Sequence, residues 1–98
     1  MGIYDGINID LLVNAILSLE SAEECKAFLS DIMTVKEMRD LAQRLEVAFY
    51  LSKGCKFAEI SEKTGASSAT ISRVNRSYCY GPGGYSTVLE RVEEKGGV

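Results

Sequence analysis

From Ile7 to Leu19 the apolar side chains Ile9, Leu12, Val13, Ile16, Leu17 and Leu19 recur at spacings that predict a helix. With so little polar relief, that helix must bury more than one face. Ser21 with Glu24 matches a capping box and starts a second helix toward Ile32, with Cys25, Phe28, Leu29 and Ile32 inward. Thr34 with Glu37 repeats the box ahead of a long third helix, Val35 to Lys53. Its apolar set is Val35, Met38, Leu41, Ala42, Leu45, Ala48, Phe49 and Leu51, and Gly54 stops it. Tyr80-Gly-Pro-Gly-Gly reads as a loop, followed by a short helix, about Tyr85 to Glu94, presenting Tyr85, Val88, Leu89 and Val92. Lys95-Gly-Gly-Val98 is expected to fray. No strand pattern competes, so the expected class is all-α in a single domain, residues 1–98.

Between Gly54 and the loop, Phe57–Arg76 has the pattern of a helix-turn-helix, spanning about residues 57–78. Ile60 and Thr64 share one face of a first short helix. Ser61 is small where the second helix must cross closely. Gly65 ends the first helix where a left-handed backbone is needed, and Ser67 can cap the second. Ile71, Val74 and Tyr78 form one inward stripe, leaving Ser68, Ala69, Ser72, Asn75 and Arg76 on the other face. In DNA-binding versions the second helix lies in the major groove with its N-terminal residues at base edges, and small polar residues permit that approach. Two short helices joined by a glycine-containing turn also occur in proteins that touch no nucleic acid.

Charge sharpens the picture. The 98-residue chain carries a net charge of −3, which argues against indiscriminate nucleic-acid binding, but residues 53–80 alone carry +3 against −5 for residues 1–52. The basic stretch coincides with the helix-turn-helix, as a local electrostatic footprint requires. Affinity for random DNA should be modest and salt-sensitive. Three cysteines at wide spacing and no histidine argue against a disulfide framework or a zinc site. No apolar run approaches a membrane span, and Met1–Asn8 lacks the features of a signal peptide, so a soluble cytoplasmic protein with no membrane partner is expected.

Six predicted helices in a chain this short carry more apolar surface than a small monomer comfortably covers. A homodimer in which the N-terminal, third and final helices interlock would cover it and pair two helix-turn-helix units one helical turn apart. The alternative is a compact monomer with a self-contained core.

Gly65-Ala66-Ser67-Ser68-Ala69-Thr70-Ile71-Ser72-Arg73 is similar to the Gly-Ala-Gly-Ile-Ala-Thr-Ile-Thr-Arg of the Trp repressor. Leu41-Ala-Gln-Arg44, followed by Lys53-Gly54, looks like the corresponding part of that protein's long central helix. From about Ile7 to Val92 the chain resembles the Trp repressor superfamily, and within it the Trp-repressor-related YerC/YecD-type group of short bacterial proteins. The resemblance implies an all-helical, six-helix, intertwined dimer that regulates transcription at operator DNA.

Arg44 and Arg73 occupy the positions of the two arginines that sandwich tryptophan in the repressor, and Thr34 and Ser77 align with further residues near the ligand. Val74 stands where the family has the glycine that leaves room for the indole, and Asp31 replaces a leucine of the pocket wall. The residues therefore favour a different small effector, or none, over tryptophan. No cofactor is expected. Arg44 and Arg73 could equally be ion-paired with nearby acids, or Arg73 could contact phosphate. For DNA, Ser68, Ala69 and Ser72 are the candidate base-edge residues, with Ser67 capping beside them. Lys56, Lys63, Arg73 and Arg76 are candidate phosphate contacts; Thr70 could contact phosphate or bond back to its own helix. Serine and alanine make few bidentate base contacts, which leaves room for water-mediated and shape readout. An enzyme is disfavoured, because Cys55 near Lys53 and Lys56 has no identifiable base partner. A protein–protein adaptor reusing the same scaffold is the alternative function.

Overall fold

A computed structural model describes residues 2–97 of the protein. Its elements are α1 (Ile9–Leu17), α2 (Ala22–Ile32), α3 (Val35–Ser52), α4 (Phe57–Thr64), α5 (Ser68–Tyr80) and α6 (Gly84–Glu94), with no strand among the described residues. By contact, the chain divides into two compact units, one ending at Met38 and one beginning at Arg39.

The first unit is organised by helix caps. The Asn8 side chain accepts from the Leu11 N–H at 3.2 Å, which starts α1 at Ile9 rather than Ile7. Ser21 caps α2 by accepting from the Glu24 N–H at 3.1 Å. The Glu24 carboxylate reaches past Ser21 and accepts from the Glu20 N–H at 3.0 Å, so the expected box is displaced by one residue. Thr34 and Glu37 form the reciprocal box, with the Thr34 hydroxyl accepting from the Glu37 N–H at 3.1 Å and the Glu37 carboxylate accepting from the Thr34 N–H at 2.9 Å. Packing is weaker. No residue of α1 or α2 is buried. The stripes expected to point inward are open, with Leu12, Val13, Ile16, Leu17 and Ile32 exposed and Cys25, Phe28 and Leu29 half-buried.

The second unit holds the core: Val47 and Ala48 on α3, Ile60 on α4, Ala66 in the turn, Ile71 and Val74 on α5, and Leu89 on α6. Val47 lies outside the apolar set expected for α3, while Leu41 and Leu45 within it are exposed. The helix has apolar residues on more than one side, and periodicity cannot say which side meets α4 and α5. Hydrogen-bonded turns close α3 and α6 in the same way. Gly54, at φ 78°, donates to the Leu51 carbonyl at 3.1 Å, and Cys55 donates to Tyr50 at 3.1 Å. Gly96, at φ 69°, donates to Glu93 at 3.0 Å, and Gly97 donates to Val92 at 2.9 Å. This paired pattern satisfies the last carbonyls of a helix. Of the tail expected to fray, residues 95–97 thus form a hydrogen-bonded cap, and Val98 lies outside the described residues.

The loop expected over Tyr80–Gly84 is shorter, because Tyr80 ends α5 and Gly84 already belongs to α6. Gly81 is required for space. A Cβ there would lie 2.4 Å from the Ser77 carbonyl oxygen, which is backbone and cannot swing away.

Candidate nucleic-acid interface

The helix-turn-helix begins at Lys56, whose N–H donates to the Glu59 carboxylate at 3.3 Å. Gly65, at φ 73°, reverses the chain after α4, and its N–H returns to the Ser61 carbonyl at 2.8 Å. The turn is cross-linked by side chains. The Thr64 hydroxyl donates to the Ile60 carbonyl at 2.7 Å and accepts from the Ala66 N–H at 3.2 Å. The Ser61 hydroxyl donates to the Ala66 carbonyl at 2.9 Å. Ser61 is therefore more than the small residue its position called for: it is exposed, and its hydroxyl closes the turn. Beneath the turn Ile60 and Ile71 are fully buried and Ala66 nearly so, joining the two helices through apolar contact. Tyr78, the last member of the expected inward stripe, is half-buried.

Ser67 caps α5, accepting from the Thr70 N–H at 3.1 Å. The Ser67 hydroxyl also donates to the Thr70 hydroxyl oxygen at 3.1 Å, which engages Thr70 with the cap. Beyond the cap, Ser68, Ala69, Ser72, Arg73 and Arg76 are all exposed, while Thr70 is half-buried. Ser68, Ala69, Ser72, Arg73 and Arg76 thus share the open side of α5, opposite Ile71 and Val74. Lys56 is exposed at the start of α4. Lys63 is exposed too, but its ammonium sits over the Tyr50 ring, 5.0 Å from the centroid.

The residues expected to form an effector pocket differ in their burial. Val74 is 1% exposed and belongs to the core. Arg44 is half-buried and Arg73 exposed. Thr34 lies in the first unit, where its hydroxyl caps α3. Ser77 borders an open, apolar cavity of about 420 Å³, lined otherwise by Leu45, Pro82, Gly84, Tyr85 and Val88. Neither arginine is among those lining residues. Among the described residues no helix is long and apolar enough to cross a membrane.

Residues 7–93 match the family model for the Trp repressor protein. The chain belongs to the Trp repressor family. It is 49% identical over 89 residues to YerC of Bacillus subtilis (strain 168), whose own function is uncharacterized, covering 91% of this chain and 86% of that one. The crystal structure of a candidate Trp repressor from Staphylococcus aureus matches it with a TM-score of 0.87 and 43% identity, covering 95% of both chains. A TrpR-like protein from Eubacterium eligens ATCC 27750 matches with a TM-score of 0.83 and 48% identity, over 87% of this chain and 88% of that one.

The six-helix Trp repressor-family fold with its helix-turn-helix is therefore the fold of this chain. Within it, two residues that sequence reasoning passed over touch the helix-turn-helix directly. Gln43 donates from Nε2 to the Thr64 carbonyl at 3.2 Å, and Tyr50 lies under Lys63. Gln43, Val47 and Tyr50 recur at four and three, so the same periodicity that marks a core face could have found them had Val47 been its centre.

Proposed function

We propose that this Trp repressor-family protein is a sequence-specific DNA-binding transcriptional regulator that acts as a homodimer and does not depend on tryptophan. The observation carrying the DNA reading is the two-sided character of α5: Ile71 and Val74 are sealed in the core while Ser68, Ala69, Ser72, Arg73 and Arg76 are open to solvent. A helix anchored on one side and bearing short side chains on the other can enter the major groove without steric conflict. Ser68, Ala69 and Ser72 would face base edges, with discrimination resting partly on bridging water and groove shape. Arg76, Arg73 and Lys56 would contact phosphates and set the register. Lys63 is a weaker candidate than these, because reaching a phosphate means leaving the Tyr50 ring, an exposed cation–π contact worth about 0.5–1 kcal/mol.

The dimer is supported by large apolar side chains that stand exposed among the described residues. Leu11 is 65% exposed and Leu17 76% exposed on α1, and Leu41, Leu45 and Val88 are open in the second unit. Independence from tryptophan is supported by Val74, whose buried side chain fills the position where the family's ligand needs a glycine.

Selection of binding sites from random duplex DNA, with and without tryptophan, tests all of this. A pseudo-palindrome enriched without ligand is the expected result. Enrichment only with tryptophan would restore a co-repressor mechanism. The absence of any motif at low salt would favour a protein–protein adaptor, a reading consistent with the net charge of −3.

A further inference from the structure

We propose that Gln43 is a positioning residue that sets the angle at which α5 is presented to DNA, with Tyr50 as the second point of the same hold. This rests on the DNA-binding reading above. The α4–turn–α5 segment is cross-linked internally through Ile60, Ser61, Thr64 and Ala66. Its orientation on α3 is a separate matter. The core of Val47, Ala48, Ile60 and Ile71 attracts the two parts, but the attraction itself is non-directional. Directional contacts are what fix an angle. Gln43 supplies one, donating from Nε2 to the Thr64 carbonyl at 3.2 Å in a part-buried setting. Tyr50 supplies another, with its ring beneath the Lys63 ammonium at 5.0 Å.

The placement of the two contacts matters. Gln43 and Tyr50 are seven residues apart, which is close to two helical turns and about 10 Å along α3 on one face. They grip adjacent residues, Lys63 and Thr64, at the very end of α4. The Thr64 carbonyl is one of the last of α4, where carbonyls lack a helical partner, so the Gln43 amide answers a real hydrogen-bonding need. The next residue is Gly65, where the chain reverses toward α5. A hold at this pivot therefore transmits any change in tilt directly to Ser68, Ala69 and Ser72. In a dimer built around α3, the same tilt would set the separation of the two reading helices.

The test uses the full-length protein and the DNA sequence that the wild type enriches from random duplexes. Gln43→Met keeps the length of the side chain and removes the donor; Gln43→Arg restores an N–H donor; Tyr50→Leu removes the ring. Affinity is measured for the enriched site, for versions with the half-sites moved one base pair closer or farther apart, and for a shuffled duplex. Because preference is a ratio of affinities for one protein, the added charge of Gln43→Arg largely cancels from it. Gln43→Met is expected to bind shuffled DNA within about twofold of wild type while its preference for the enriched site and spacing falls about tenfold, the size of one mismatched base pair. Gln43→Arg should recover most of that preference, and Tyr50→Leu should lose part of it. A purely structural role would lower the melting temperature and weaken enriched and shuffled DNA together with the preference unchanged, and that outcome overturns the proposal. A wild type that enriches no sequence overturns the DNA-binding reading itself, and the role of Gln43 falls with it. A wild type that reads DNA alongside an unaffected Gln43→Met overturns the positioning role alone.

Discussion

The two units of this chain are both helical and both well capped, yet only one of them closes a core. In the second unit Val47, Ala48, Ile60 and Ile71 are fully buried within a structure of about sixty residues, and the turn between α4 and α5 is cross-linked by three side-chain hydrogen bonds. In the first unit the caps at Asn8, Ser21 and Thr34 are equally well formed, but no residue of α1 or α2 is buried. The difference teaches that helix-forming signals and core-forming signals are separable. A cap satisfies orphan N–H groups within one turn of chain, whereas burial needs a second surface. The second unit carries that surface in α4, α5 and α6, and the proposed homodimer would supply it to the first.

Truncation of the core separates the two units most sharply. Ile71→Ala or Ile60→Ala should cost about 2–5 kcal/mol in denaturant unfolding, since each empties a fully buried position. Leu17→Ala should leave unfolding of the dilute protein nearly unchanged and instead weaken self-association about tenfold or more, as expected if the proposed dimer buries this exposed leucine. Sedimentation across a concentration series checks this, and a Leu17→Ala defect equal to that of Ile71→Ala at every concentration would mean that the first unit has a core of its own.

Val74→Gly comes next. It removes a buried side chain and places glycine inside α5, so a loss of about 2–4 kcal/mol is expected. Calorimetry with tryptophan should give no heat with the wild-type protein; a clear binding isotherm would refute the idea that Val74 closes that space. Gly81→Ala should cost about 1–3 kcal/mol by thermal melting, because its methyl group would overlap the Ser77 carbonyl and the α5–α6 connection must shift.

The smallest effect belongs to the first unit. Hydrogen bonds from the Thr34 backbone N–H and then the Thr34 hydroxyl, more than the nearby Lys36, hold the Glu37 carboxyl below its ordinary value of 4.5. A lowered folded-state pKa means that the stabilising contribution is complete above that ordinary value and is lost as pH falls through the folded one. Helicity at the start of α3 should therefore decline on acidification below the ordinary carboxylate range, and Glu37→Gln should flatten that pH dependence. An unchanged pH profile by circular dichroism in Glu37→Gln would remove Glu37 as its source.

Much of the architecture was legible residue by residue. The helix starts at Ser21, Thr34 and Ser67 and the stops at Gly54 and Gly65 all fall where the chain's own signals put them. So does the buried pair Ile71 and Val74. These features are local: a cap, a left-handed glycine or a one-turn stripe is decided within a few residues, and the side chains that decide it are adjacent in the chain. Gly65-Ala66-Ser67 and the small polar face after it marked the helix-turn-helix for the same reason.

What the sequence could not decide is which of two apolar faces a helix presents to its neighbours. Leu41 and Leu45 look as ready for the core as Val47, and only the packing of α4 and α5 against α3 chose Val47 and left the leucines open. Gln43 and Tyr50 became legible only with that choice, because the Thr64 carbonyl and the Lys63 ammonium they meet belong to another helix. Local chemistry determined where the helices and the small polar face of α5 lie along the chain. Tertiary structure decided which apolar surface is sealed and what the end of α4 meets on α3, since both depend on groups that only folding brings within reach.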